Sequence, residues 1–197
     1  MGAPGKLLFV AGSSRKDSYN RRLATLGVHI ATANGLQATL AELSDYPMPI
    51  FNGDAETKEG PPKAAVRLKA LMEEHCAICI AAPEYNAGIT PLLKNTLDWV
   101  SRVRSADEAP LQVFRTRVFG LCSASPGGFG GMRGLLQLRQ TLTIGLGALV
   151  LPEQVSIPRA NEAFDANGHL IDKGAQENFK LLIQKLASSA NALQGTG

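Results

Sequence analysis

The residues best equipped for chemistry stand between positions 12 and 20, where Gly12-Ser13-Ser14-Arg15-Lys16-Asp17-Ser18-Tyr19-Asn20 follows the apolar run Leu7 to Ala11. Ser13, Ser14 and Ser18 offer hydroxyl donors, Asn20 an amide, and Arg15 a planar fork whose geometry matches phosphate oxygens. Five apolar residues ending at a glycine read as a buried strand, and a helical pattern begins near Ser18. Strand, polar turn and helix in that order aim the unpaired N–H groups of a helix start into the turn, where the helix dipole adds positive potential. A phosphate monoester suits such a turn. The same residues also fit an ordinary capped turn, with Ser18 or Asp17 satisfying the free N–H groups. Neither G-x-x-x-x-G-K-[ST] nor G-x-G-x-x-G occurs, so P-loop NTPases and the dinucleotide fingerprint are excluded.

The elements that must position this turn can be read from periodicity. Leu23, Leu26, Ile30 and Ala31 give the first helix one apolar face, and Asn34-Gly35 stops it. Gln37 to Leu43 alternates as a second strand, and the prolines that follow predict a long loop over residues 44–62. Lys63 to Glu74 is amphipathic, and Cys76 to Ala82 is apolar throughout, like a strand covered on both faces. After Pro83-Glu84-Tyr85-Asn86-Ala87-Gly88, Thr90-Pro91 opens a helix in the favoured cap and N1 order, with Ile89, Leu93, Leu97 and Val100 as its stripe. Val113 to Cys122 reads as a fourth strand, and Ser123-Ala-Ser-Pro-Gly-Gly-Phe-Gly-Gly follows it. A fourth helix carries Leu135, Leu138, Leu142 and Leu146. Ala148 to Leu151, extended by Gln154 to Ile157, makes a fifth strand. Gly174 to Leu193 is a closing helix, its end from about Ser188 expected to fray.

Strands alternating with helices imply parallel pairing through right-handed crossovers, in an open sheet covered on both faces. Ligands bind such sheets outside the carboxyl ends of the strands, where strand order reverses. The three unusual turns all leave carboxyl ends, and the third holds enough glycine for backbone to approach a flat ring.

Length and composition set the remaining bounds. With 197 residues the chain is expected to form one domain, 1–197, without staples. The net charge of +3 is scattered, which argues against nucleic acid. Arg102, Arg104, Arg115 and Arg117 form the densest basic group, read first as a solvated edge and second as a site for a phosphorylated ligand such as NADPH. The three cysteines have no framework spacing, which fits a reducing, cytoplasmic setting. Cys76 and Cys79 spell C-x-x-C, but on a strand positions three apart face opposite ways, which argues against a redox or metal role. No stretch approaches the ~20 apolar residues of a membrane span, and the histidines lack ligand spacing.

Taken together, G-S-x-R-x-x-S-x-N at 12–20, P-E-Y-N at 83–86 and Leu93-Lys94-Asn95-Thr96-Leu97-Asp98-Trp99 resemble the NADPH-dependent FMN reductase family, which includes quinone, azo-dye and chromate reductases. The resemblance runs from about Leu7 to the fifth strand. It implies a flavodoxin-like α/β fold: a three-layer sandwich with a five-stranded parallel sheet in the order 2-1-3-4-5 and helices on both faces. It further implies that Ser13, Arg15, Ser18 and Asn20 hold the FMN phosphate. Pro83, Glu84, Tyr85 and Asn86 would line the isoalloxazine, and Ser123, Ser125 and Gly128 would approach its pyrimidine edge. Ser14 and Asp17 stand at variable motif positions.

NADPH or NADH is then a transient co-substrate, and the electrons leave on a small-molecule acceptor: a quinone, azo compound, metal oxyanion or free flavin. Hydride chemistry carried by the flavin asks for no catalytic acid or nucleophile. Relatives form dimers or tetramers in which a second subunit covers the flavin, so the resemblance implies a homodimer or homotetramer; Trp99, beside the apolar stripe, reads as core or interface, and the resemblance suggests the interface. Two other functions suit the same fold. One is a flavodoxin-like electron carrier, against which Arg15 and the net positive charge argue. The other is a non-catalytic sensor or scaffold that binds FMN or NAD(P)H.

Overall fold

The computed structural model describes residues 5–194. Every residue of the first strand, β1 (Leu7–Ala11), is buried, as expected of a parallel strand covered on both faces. After it come α1 (Tyr19–Ala33), β2 (Ala38–Glu42), α2 (Gly53–Glu59), α3 (Lys63–Glu73) and β3 (Ala77–Ala81). The short strands β4 (Glu84–Tyr85) and β5 (Gly88–Ile89) lead to α4 (Pro91–Arg102), α5 (Gln112–Arg115), β6 (Val118–Ala124), α6 (Met132–Gln140), β7 (Leu149–Ile157) and α7 (Lys173–Gln194). The main sheet has the order β2-β1-β3-β6-β7 with every pair parallel. Counting main-sheet strands alone, this is the 2-1-3-4-5 flavodoxin-like order expected from the sequence.

The period of two along each strand divides the core. Leu7, Phe9 and Ala11 enter a cluster with α1 and α7, where Leu23, Phe179, Leu182 and Leu186 are fully or nearly fully buried. Leu8 and Val10 enter the opposite cluster with Leu68 of α3, Leu93 and Leu97 of α4, and Leu135 and Leu138 of α6. Each face buries its own set of helices, so the carboxyl-end turns are carried by a scaffold packed on both sides.

Several sequence expectations are corrected. Residues 44–62 are not a plain loop: a 3-10 turn at Leu43–Asp45 overlaps their start and the helix α2 lies within them. Asn52 caps α2 by accepting from the N–H groups of Asp54 and Ala55, and no residue of that helix is buried. It therefore carries no apolar period to read. Trp99 is core, not interface. It is 1% exposed, its indole N–H donates to the Pro49 carbonyl at 2.7 Å, and Phe51 meets it edge-on.

The fourth main-sheet strand starts at Val118, five residues later than expected. Leu111 takes a left-handed φ of 60°, and Val113 and Phe114 are buried from the helical turn α5 instead of from a strand. β7 is continuous through Pro152, because it is an edge strand and the proline coincides with a shift of register. Arg139 donates to the carbonyls of Leu151 and Pro152 there. Cys76 lies just before β3, so it shares an apolar cluster with Cys79 instead of facing away from it. The closing helix continues to Gln194 with Ala190 fully buried, and residues 195–197 of the tail expected to fray lie outside the described residues.

Candidate active site

The three turns leaving β1, β3 and β6 are joined to one another in pairs. In the first turn Ser13 and Ser18 are buried while Ser14, Arg15, Lys16 and Asp17 are exposed. Ser18 caps α1 by accepting from the N–H of Arg21 at 3.3 Å, and the Ser13 hydroxyl accepts from the N–H of Arg15. No acidic residue stands in the first turn of α1. The guanidinium of Arg15 has no ion-pair partner among the described residues. A helix start with its dipole uncompensated and a free arginine beside it is a site for an anion. On that donor set a phosphate monoester fits.

The second turn is a β-hairpin, which sequence reasoning did not recognise. Glu84 pairs with Ile89 and Tyr85 with Gly88, leaving Asn86 and Ala87 as a two-residue loop with φ of 51° and 63°. Both values positive is the primed turn that matches strand twist. Asn tolerates it well, whereas Ala carries strain. The hairpin buries Pro83 and leaves Tyr85 52% exposed.

In that third turn, glycine is required at positions other than the one expected. A Cβ on Gly130 would sit 2.7 Å from the Ile157 carbonyl carbon, and one on Gly131 would sit 2.5 Å from the Ser123 hydroxyl. Both residues have positive φ. A Cβ on Gly128 would meet nothing within 4 Å, so the space above Gly128 is open.

Three of the expected ligand residues also bond across the site. The amide of Asn20, 4% exposed, donates to the Ala124 carbonyl and accepts from the Ala124 N–H, both at 2.9 Å. It ties α1 to the end of β6 and keeps one amide N–H beyond that pair. Ser123 is fully buried and its hydroxyl donates to the Gly130 carbonyl, so it holds the third turn from beneath.

Both carboxylate oxygens of Glu84 are taken up. Arg133 donates to one from Nε at 3.0 Å and from Nη2, and the Gly134 N–H donates to the other at 3.0 Å. Burial raises the Glu84 carboxyl, but these donors and the Arg133 charge outweigh it and hold the group below its ordinary value. This ion pair lies within one chain, between the hairpin and the first turn of α6.

Ser13, Arg15, Ser18, Pro83, Tyr85, Asn86, Ser125 and Gly128 thus lie on the joined turns without such commitments to a neighbouring turn. Ser125 is half-buried and its hydroxyl accepts from the Gly127 N–H. The residues that sequence reasoning missed are the connectors. Thr90, read only as the cap of α4, also donates to the Gly12 carbonyl at 3.5 Å. Gln137 accepts from the Ile89 N–H at 2.8 Å, and the Arg133 guanidinium lies 4.8 Å from the Phe129 ring centroid. Turn one meets the end of turn two through Thr90, turn two meets the first turn of α6, directly after turn three, through Glu84, and turn three meets the start of α1 through Asn20.

The sequence model described as NADPH-dependent FMN reductase matches residues 5–162, which takes in all three turns. The chain belongs to that family. The NAD(P)H-dependent FMN reductase PA1204 of Pseudomonas aeruginosa is 34% identical over 191 residues, covering 96% of this chain and 97% of its own. The NAD(P)H:quinone oxidoreductase of Solanum tuberosum is 31% identical over 194 residues, covering 96% and 95%. Among solved structures, the flavoenzyme FerB, an NAD(P)H:(acceptor) oxidoreductase from Paracoccus denitrificans, superposes with a TM-score of 0.75 at 22% identity, over 95% of this chain and 98% of that one. At that identity the likeness speaks to the fold.

Proposed function

We propose that this FMN reductase family member is an NAD(P)H-dependent flavin oxidoreductase, working as one domain, that passes electrons from NADPH or NADH to a small-molecule acceptor such as a quinone, an azo compound or free flavin. The observation that carries it is the pairwise joining of the three turns, the first of which bears the unpaired Arg15 and the second the exposed Tyr85. Bound FMN would supply the two-electron chemistry, accepting and giving up a hydride. Ser13, Ser18 and Arg15 hold its phosphate. Pro83, Tyr85 and Asn86 face the ring, with the hairpin's main chain fixing its position, and Ser125 and Gly128 approach its far edge. Hydride delivery to a quinone would also need one proton, which solvent can supply, so no side chain is assigned to move it. No helix among the described residues is long and apolar enough to cross a membrane, and the buried free cysteines suit a cytoplasmic setting.

The protein works as a homodimer or homotetramer. Met132, Leu136 and Ile144 repeat every four or eight residues along α6 and the turn after it, and Leu136 is 54% and Ile144 79% exposed. With Phe129 they make an apolar stripe beginning beside the hairpin, of the kind that marks a protein interface. Light scattering is expected to give a mass twice or four times that of the chain, and Leu136→Glu to return it toward the monomer; a wild-type monomer rejects the interface.

The flavin reading is tested by colour and turnover. Purified protein reconstituted with FMN is expected to be yellow and to oxidise NADPH with a quinone at about 1 per second or faster. Arg15→Ala is expected to weaken FMN about tenfold or more, since a charge-assisted hydrogen bond to phosphate contributes about 1.5–3 kcal/mol. Binding without turnover would make the protein a sensor or scaffold, and failure to bind FMN rejects the reading.

A further inference from the structure

Beside the first turn, on the outer flank of α1, lies a groove of about 430 Å³ that the flavin reading leaves unused. It runs from Lys16 and Tyr19 past Arg22 to His29, and the turn at Asn167 and Gly168 forms its far wall. Lys16, Arg21 and Arg22 bring positive charge to it, against Asp17 alone. Arg21 is neutralised by Glu42 at 2.8 Å. Among the described residues, neither Lys16 nor Arg22 has a carboxylate partner. Arg22 is nevertheless held in place, its guanidinium 4.8 Å from the centroid of the Phe164 ring. A cation–π contact orients the plane of the fork without neutralising its charge, so less entropy is lost when an anion arrives.

We propose that this groove receives the phosphorylated adenosine end of NADPH, with Arg22 and Lys16 on the 2′-phosphate. The proposal rests on the flavin reductase reading, because the nicotinamide end must reach the flavin turns. Arg22 lies four residues beyond Ser18, about 6 Å along the helix axis, so the groove and the first turn share one helix end. The basic cluster that the sequence offered for this role is elsewhere and largely spent. Arg102 pairs with Glu56, and Arg117 donates to the carbonyls of Met72, Glu73 and His75. Arg117 also immediately precedes β6, at the amino end of the sheet, away from all three turns. Preference for NADPH over NADH is then a property of Arg22 and Lys16.

Calorimetric titration of FMN-saturated protein with 2′,5′-ADP, 5′-ADP and inorganic phosphate tests this, because the filled first turn cannot contribute. The expected result is binding of 2′,5′-ADP at least tenfold tighter than 5′-ADP, a preference abolished in Arg22→Ala and partly kept in Arg22→Lys. The ratio of kcat/KM for NADPH to that for NADH should fall at least tenfold in Arg22→Ala. Equal binding of the two nucleotides, or an unaltered preference in Arg22→Ala, overturns the proposal. So does inorganic phosphate binding as tightly as 2′,5′-ADP, which would make the groove a general anion site. If the protein takes up no FMN, the flavin reading fails, and the same nucleotide titration still reports on the groove by itself.

Discussion

Asn20→Ala is expected to lower stability by about 2–4 kcal/mol, the largest loss among substitutions at the site. Its side chain is buried and spends both ends of the amide on one residue, Ala124. Truncation leaves a buried N–H and a buried carbonyl without partners, each costing about 1–3 kcal/mol. Water replaces only part of that in so closed a position. For a chain of this size, 1 kcal/mol moves the melting temperature by about 2–4 °C, so a fall of about 5–15 °C is expected.

Asn20→Asp sharpens the test. A carboxylate still accepts from the Ala124 N–H but repels the Ala124 carbonyl, and only its protonated form can donate to that oxygen. The aspartate variant should therefore regain stability relative to wild type as pH falls through the range in which a buried carboxyl takes up its proton. Thermal unfolding of the three proteins between pH 7 and about pH 4.5 reads this directly. A melting point for Asn20→Ala within about 2 °C of wild type would mean that the α1–β6 tie contributes little.

That tie also shows where sequence was informative and where it was not. The strand-turn-helix order around Ser13 to Asn20 was readable because it depends on local periodicity and capping, and Ser18 caps α1 as its position suggests. The sheet order was readable only through family resemblance, since alternation of strands and helices does not fix it. The roles of Asn20, Ser123 and Glu84 were not readable. Each has a partner between 7 and 104 residues away, and nothing in a chemically versatile side chain tells a ligand contact from a structural one. The hairpin at Glu84–Ile89 escaped because its strands are two residues each, too short to show a period, and its loop is Asn-Ala where a sequence signal would need Asn-Gly. Helix α2 escaped for the opposite reason, being fully formed and capped but polar all round. What remained legible was the location of the site, because glycine, proline and hydroxyl residues collect where strands end.

Removing the Glu84 carboxylate is the second large expected effect, and it carries a pH signature that a packing defect would lack. The Glu84 side chain is 7% exposed and its Arg133 partner 49% exposed, so solvent screens part of the ion pair while the bond from Gly134 N–H stays sheltered. Glu84→Ala is expected to cost about 2–3 kcal/mol, for the ion pair and for a backbone N–H left without its acceptor. Glu84→Gln can keep one neutral bond to Gly134 and should cost about half as much. The group's folded value lies below its ordinary 4.5. Its stabilising contribution is therefore complete above about pH 4.5 and is lost as pH falls through that depressed value. The gap in melting temperature between wild type and Glu84→Gln should be widest near neutral pH and narrow as pH falls below the ordinary carboxylate value. A gap that stays constant down to pH 3 would show that the carboxylate acts by shape alone. If it does act by charge, acid should loosen the hairpin from the third turn and release bound FMN before the sheet unfolds, because Glu84 joins two turns of the site while the apolar clusters on both faces of the sheet hold no carboxylate.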